Sequence, residues 1–244
     1  MNVKQGIDLV KALLQPGGAS AFLKWKPFSV TSFRVLKRLT ASEIPFKTII
    51  DGGANVGQFA RAALETFPEA RIISFEPLPD VAEKLGKNLA DSKDRVRIVN
   101  SAVGRKKGEI NIYRNAHSHS SSVLPLHENH RKAFPEALAT GKLKVSITTL
   151  DLAIKKEQLQ GPVLLKLDLQ GYELEALRGA IKTLSKVKAV LLETSVKPMY
   201  KGEPSFAEID KFLKRKGFRF EKALDYLRDG HGNVLQMDAL FLKK

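Results

Sequence analysis

Four short apolar runs in this 244-residue chain end in an acid: Ile49-Ile50-Asp51, Ser74-Phe75-Glu76, Leu165-Lys166-Leu167-Asp168 and Leu191-Leu192-Glu193. Read as strands of an open α/β sheet, these runs carry their carboxylates to one edge, where such sheets bind ligands. The first run feeds a glycine-rich turn, Asp51-Gly52-Gly53-Ala54-Asn55-Val56-Gly57. Glycine lets the backbone turn tightly and approach a ligand closely. Glu76 follows Gly57 by 19 residues, where a carboxylate at the end of a second strand accepts both hydroxyls of a ribose. A dinucleotide fits poorly. The spacing is Gly53-x-x-x-Gly57 rather than Gly-x-Gly-x-x-Gly, and Asp51 beside the turn would repel a pyrophosphate through low dielectric. An acid there suits an ammonium and a sulfonium carried with a ribose, the combination present in S-adenosyl-L-methionine.

These residues need a frame to hold them. From Lys47 onward short apolar runs alternate with helical periodicity. Strands are predicted at 48–51, 71–76, 96–99, 109–113, 163–168, 189–193 and 238–242, and helices at 57–67, 79–90, 172–186 and 205–216. Strands alternating with helices imply βαβ units and a mostly parallel sheet. Residues 1–46 differ, with apolar positions Ile7, Val10, Leu14 and Val35, Leu36, Leu39 at helical spacing on either side of Pro16-Gly17-Gly18. They read as two short amphipathic helices with an aromatic segment, Phe22, Trp25 and Phe28, between them. The expected organisation is an N-terminal helical extension, 1–46, and one α/β domain, 47–244. Residues 114–135 form a long polar stretch holding His117, His119, Ser120, Ser121, Ser122, His127 and His130, and long loops in compact domains tend to carry function.

The segments Ile50-Asp51-Gly52-Gly53-Ala54-Asn55-Val56-Gly57-Gln58-Phe59, Phe75-Glu76-Pro77, Asn100-Ser101-Ala102-Val103-Gly104, Thr149-Leu150-Asp151 and Leu165-Lys166-Leu167-Asp168-Leu169-Gln170-Gly171-Tyr172-Glu173 stand in the order of one family. From about residue 47 the chain resembles class I S-adenosylmethionine-dependent methyltransferases, and more narrowly the FkbM family. The resemblance implies a Rossmann-like fold with a seven-stranded sheet, and methyl transfer to a hydroxyl of a sugar, polyketide or other small metabolite. It implies that Asp51, Gly53, Asn55 and Gly57 flank the methionine part of the cofactor. Glu76, with Pro77 after it, would hold the ribose, and Ser101 and Ala102 would lie by the adenine. One position departs: Gln170 stands where the family commonly has Glu.

Transfer from a sulfonium is an in-line displacement, so alignment is the enzyme's main task. An alcohol, with a pKa near water's value of about 15.7, needs a base or a metal to activate it. Asp168 ends its strand where the cleft faces the transferable methyl, and a buried strand-end acid without a role is costly. It is the leading catalytic candidate. Lys166, two residues earlier on the same strand face, suits catalysis or a structural ion pair. His119, with His117, offers a neutral base on the polar loop. His-x-His without a second acid nearby is a weak metal motif, and no metal site is expected. Glu173 and Asp151 read as helix-start acids, and Tyr172 could stack on a substrate. Asp225, Asp229 and His231 are expected in a late loop near substrate.

Composition removes other chemistries. With no Cys among its residues the chain has no disulfide, thiolate metal site or cysteine nucleophile, which excludes the cytosine-C5 route. The turn Asp168-Leu169-Gln170-Gly171 is unlike the Asn/Asp-Pro-Pro-aromatic turn of exocyclic-nitrogen methylation. The net charge of +15 invites a nucleic-acid reading. However, the excess is spread along the chain, +5 over residues 1–46, +6 over 47–196 and +4 over 197–244, and no aromatic-interleaved basic patch accompanies it. A small-molecule or saccharide acceptor is therefore favoured. The alternatives are ribose O-methylation of RNA and a non-catalytic S-adenosylmethionine-binding module. The basic N-terminus, with Trp25 between Lys24 and Lys26, would either rest on an anionic membrane or pack over the sheet as a lid above the cofactor. No apolar leader is evident at the start, and a cytoplasmic location, with or without peripheral membrane contact, is the expectation.

Overall fold

The structure is a computed structural model and describes residues 3–115, 121–134 and 139–244. Three helices come first: α1 (Val3–Leu13), α2 (Gly18–Lys24) and α3 (Val30–Thr40). The expected aromatic connector thus carries a helix of its own. Its rings fold onto α3, with Trp25 at 5.7 Å from Phe33 and 6.4 Å from Phe28 between centroids. The side chain of Ser29 caps α3 by accepting the Ser32 N–H at 3.2 Å. Leu14, just after α1, and Leu23 on α2 stay largely exposed.

The α/β part begins with β1 (Thr48–Gly52), α4 (Gln58–Thr66), β2 (Arg71–Phe75), α5 (Pro79–Asn88) and β3 (Val96–Val99). Next come β4 (Ala102–Val103), β5 (Gly108–Asn115), α6 (Glu128–Ala133), β6 (Ala139–Thr148) and α7 (Leu150–Ala153). The chain closes with β7 (Val163–Leu167), α8 (Glu173–Arg178), α9 (Ile181–Lys186), β8 (Ala189–Ser195), α10 (Phe206–Lys214), β9 (Phe218–Arg228) and β10 (Val234–Lys243). The main sheet has seven strands in the order β3-β2-β1-β7-β8-β10-β9, parallel except for β10, which runs against both neighbours. This is the expected architecture: a Rossmann-like, mostly parallel seven-stranded sheet flanked by helices. Beside it β4, β6 and β5 form a small second sheet.

The central strands are buried along their whole length because both faces are covered. On one face Ile49, Leu164, Leu191 and Leu240 meet α3 and α4 through Leu36, Leu39 and Leu64. On the other, Ile50, Leu165, Val190 and Phe241 meet Leu150, Leu177, Leu184 and Leu213 from α7 to α10. The N-terminal extension is therefore built into the fold, with α3 packed on the sheet.

Three expected elements differ. The helix expected over 172–186 is two helices, α8 and α9. Gly179 separates them because its backbone lies directly on the Gly104 carbonyl, where a Cβ would stand 2.0 Å from the oxygen. Asp151 then caps α9 from a distance, accepting the N–H groups of Lys182 and Thr183 at 2.9 and 2.7 Å. Asp225, expected in a loop, lies inside β9, an edge strand whose charged, exposed positions obscure its period. Only Asp229 and His231 occupy the turn, with Asp229 accepting the His231 N–H. The polar stretch 114–135 contains α6. His127 caps this helix, and His130 is buried between Phe134 and Tyr200. Both are structural. His117 and His119 lie outside the described residues.

Among the described residues no helix is long and apolar enough to cross a membrane.

Candidate active site

The carboxyl ends of β1, β2 and β7 open into a cavity roofed by the small sheet. Gly53, Asn55, Glu76, Pro77, Ser101, Ala102 and Asp168 all line it. Asp51, Gly57 and Lys166 are not among its lining residues.

The glycine turn is a close-packing device as much as a flexible one. Gly53 has φ 75°, and a Cβ there would lie 1.9 Å from the Asp168 carbonyl. Only glycine lets the first turn sit against the end of β7. Asn55 turns in the left-handed region at φ 48°, with its Oδ1 accepting the Val56 N–H at 2.8 Å.

Glu76 is 5% exposed. One carboxylate oxygen accepts the Asn55 N–H at 2.9 Å and the other the Leu78 N–H at 3.0 Å. It thereby ties the first turn to the second. Burial pushes its pKa up to about 7, against the lowering effect of those two backbone bonds.

Beneath the turn, Asp51 is fully buried and faces Lys166 Nζ at 2.9 Å. The parallel register sets Asp51 beside Lys166, a pairing that follows only from β1 lying against β7. The ammonium also donates to the Gly53 carbonyl at 3.0 Å and lies 3.9 Å from Asp168 Oδ2. Burial disfavours its charge, but the Asp51 and Asp168 carboxylates more than offset this and hold its pKa above the ordinary lysine value. Lys166 is thus a protonated strut under the turn, and removing one member of such a buried pair generally costs about 3–5 kcal/mol.

Asp168 is partly exposed and faces the cavity. Gln170 Nε2 donates to Asp168 Oδ1 at 2.6 Å and to Glu193 Oε2 at 3.1 Å, while the Tyr200 hydroxyl donates to Gln170 Oε1. This explains the departure at Gln170. An amide donates to both Asp168 and Glu193 without adding another acid to the cluster. The cost is a left-handed backbone at φ 57°, which these side-chain bonds hold in place. Cavity residues that the sequence did not single out include Leu78, Ile112 and Val123. Ile112 sits on the alternating strand β5, but nothing local shows that this strand folds over the cavity. Among the described residues no group of three or more His, Asp or Glu side chains is arranged to hold a metal ion.

Glu173 supports the same loop from below. It is 2% exposed, and its Oε1 accepts the Leu169 and Gly171 N–H groups at 2.6 and 3.3 Å. Burial raises its pKa from 4.5 to about 8. The unfolded chain loses this proton at lower pH than the folded one, so this group makes stability fall as pH rises from about 4.5 to about 8, with no further loss above. We expect the melting temperature of Glu173→Gln, which mimics the protonated acid, to decline less over that interval than the wild type's. Parallel slopes in thermal melts would reject this role.

The cavity fits S-adenosylmethionine by its chemistry. Glu76 presents acceptors for ribose hydroxyls, and Leu78, Val103 and Ile112 supply apolar walls beside Ser101 and Ala102.

Compared with known proteins, residues 51–220 match the model of the Methyltransferase FkbM domain. The chain is 27% identical over 199 residues to 2-O-methyltransferase NoeI of Sinorhizobium fredii, covering 79% of this chain and 80% of that protein. It is 29% identical over 197 residues to Methyltransferase sdnD of Sordaria araneosa, covering 70% and 73% respectively. To Hexuronic acid methyltransferase AglP of Haloferax volcanii it is 24% identical over 143 residues, 59% of this chain and 54% of that protein.

Proposed function

Since the chain belongs to the FkbM methyltransferase family, we infer that it is an S-adenosylmethionine-dependent O-methyltransferase acting on a hydroxyl of a saccharide or small metabolite. The observation that carries this reading is that Glu76 and Asp168, at the ends of β2 and β7 on either side of β1, line one cavity. One carboxylate suits a ribose and the other an acceptor hydroxyl. Two relatives support oxygen and sugar as targets, since one is named a 2-O-methyltransferase and another a hexuronic acid methyltransferase.

The cofactor, when bound, supplies an electrophilic methyl group on a sulfonium. Asp51, Gly53, Asn55 and Gly57 shape the ground on which its methionine part rests, Glu76 and Pro77 hold the ribose, and Ser101 and Ala102 border the adenine. Lys166 is a positioning residue that keeps Asp51 and the turn in place. Asp168, steadied by Gln170, orients the acceptor hydroxyl and takes its proton as the oxygen attacks. Alignment supplies much of the acceleration.

The test is to follow tritiated methyl from S-adenosylmethionine into fractions of a cell extract. Label is expected in saccharides or small metabolites and resistant to nuclease. Label in a nuclease-sensitive polymer would overturn the choice of acceptor.

A further inference from the structure

A second cleft, of about 830 Å³, lies beside the cofactor cavity at the carboxyl edge of the sheet. Glu193, Asp238 and Asp225 line it as cross-strand neighbours on β8, β10 and β9. The N-terminal helices contribute Asp8 from α1 and Arg34 and Arg38 from α3. One side chain links the linings of the two cavities. The Gln170 amide that holds Asp168 on the first also donates to Glu193 on the second. An in-line displacement needs its nucleophile on the far side of the methyl from the sulfur, and this cleft is linked to the cofactor cavity through the Gln170–Glu193 bond.

Its chemistry narrows the class of acceptor. Three arginines and four acids line it, in a chain whose net charge is +15. Each arginine is already engaged. Arg34 meets Asp225 at 2.7 Å and Asp8 at 3.9 Å, Arg38 meets Asp225 at 3.1 Å, and Arg228 lies 5.4 Å from the centre of the Tyr226 ring. Burial holds the Glu193 proton well above the usual carboxylate range and pushes the Asp238 pKa up to about 7. Arg34 and Arg38 are thus held by Asp225 and Asp8 and Arg228 lies against an aromatic ring, so these arginines form no open cationic cluster for a phosphate or nucleic-acid backbone. What the cleft offers is a set of carboxyl and amide groups that donate and accept hydrogen bonds, plus the half-exposed Tyr226 ring, on which the C–H face of a sugar can lie.

Resting on the methyltransferase reading above, we propose that this cleft is the acceptor site and takes an uncharged, hydroxyl-rich molecule, a neutral saccharide or polyol, with α1 and α3 as part of its wall. The N-terminal extension then serves acceptor recognition.

The full chain should be applied, with S-adenosylmethionine, to an immobilised panel of neutral, uronate-containing and phosphorylated oligosaccharides. Retention on the neutral class is expected. Tyr226→Ala removes the ring, and Thr31→Trp fills the cleft from an exposed position on α3. Each should weaken that retention about tenfold while calorimetry shows S-adenosylmethionine affinity unchanged. Three results would overturn the proposal with cofactor binding intact: retention only on charged classes, no retention at all, or variants that bind as the wild type does. Failure of the wild type to bind S-adenosylmethionine would instead remove the reading on which the proposal stands.

Discussion

Glu76→Ala is expected to weaken S-adenosylmethionine binding by about 10²–10⁴-fold. Two hydroxyl-to-carboxylate hydrogen bonds are lost, each in the range of about 1.5–3 kcal/mol for a charged partner. The same change frees the Asn55 and Leu78 N–H groups that the carboxylate now satisfies, so the first two turns loosen together. Calorimetric titration measures the affinity, and a thermal melt of the variant verifies that it is folded. The pH dependence has a definite sign. The carboxyl has a pKa near 7 when no ligand is bound, and the ionised form is the stronger acceptor. Wild-type affinity should therefore rise between pH 6 and pH 8, and Glu76→Gln should bind weakly with a flatter profile. An affinity unchanged in Glu76→Ala would remove Glu76 from the cofactor site.

Asp168→Asn should act on turnover instead. The amide matches the carboxylate in shape and can still accept from Gln170 Nε2, so the loop from β7 to α8 keeps its geometry. What disappears is the proton acceptor, and removal of a positioned base commonly costs about 10²–10⁴ in rate. Labelled-methyl transfer gives kcat, and calorimetry gives the cofactor Kd, which should stay within a few-fold of wild type. Equal losses in the two quantities would place Asp168 on the cofactor side and leave the acceptor without this base.

Much of the frame was legible because its elements announce themselves locally. Ile49-Ile50, Ile72-Ile73, Leu164-Leu165 and Val190-Leu191 are apolar runs that must be covered on both faces, and they form β1, β2, β7 and β8 as expected. Their terminal acids fall at one sheet edge because parallel strands point the same way. β9 was illegible. Its run Arg219-Phe220-Glu221-Lys222 lies on an exposed edge, so burial imposes little pattern on it. His127 and His130, read only as members of a polar stretch, were illegible for a related reason. A helix cap at His127 and a ring stack at His130 leave no trace in spacing alone.

The sequence by itself determined the parts of the site: the acids at the strand ends, the glycine turn, and the absence of any thiol chemistry. These follow from residue type and short-range spacing. Only the tertiary structure decided how the parts are coupled. Lys166 becomes a strut because parallel register brings it to Asp51, a pairing across 115 positions of chain. Gln170 becomes a bridge because strand order sets β7 beside β8. Arg34 and Asp225, at opposite ends of the molecule in sequence, wall one cleft because α3 packs on the face where β9 closes the sheet. Contacts of that separation depend on the order and handedness of every element between them, and no local pattern encodes them.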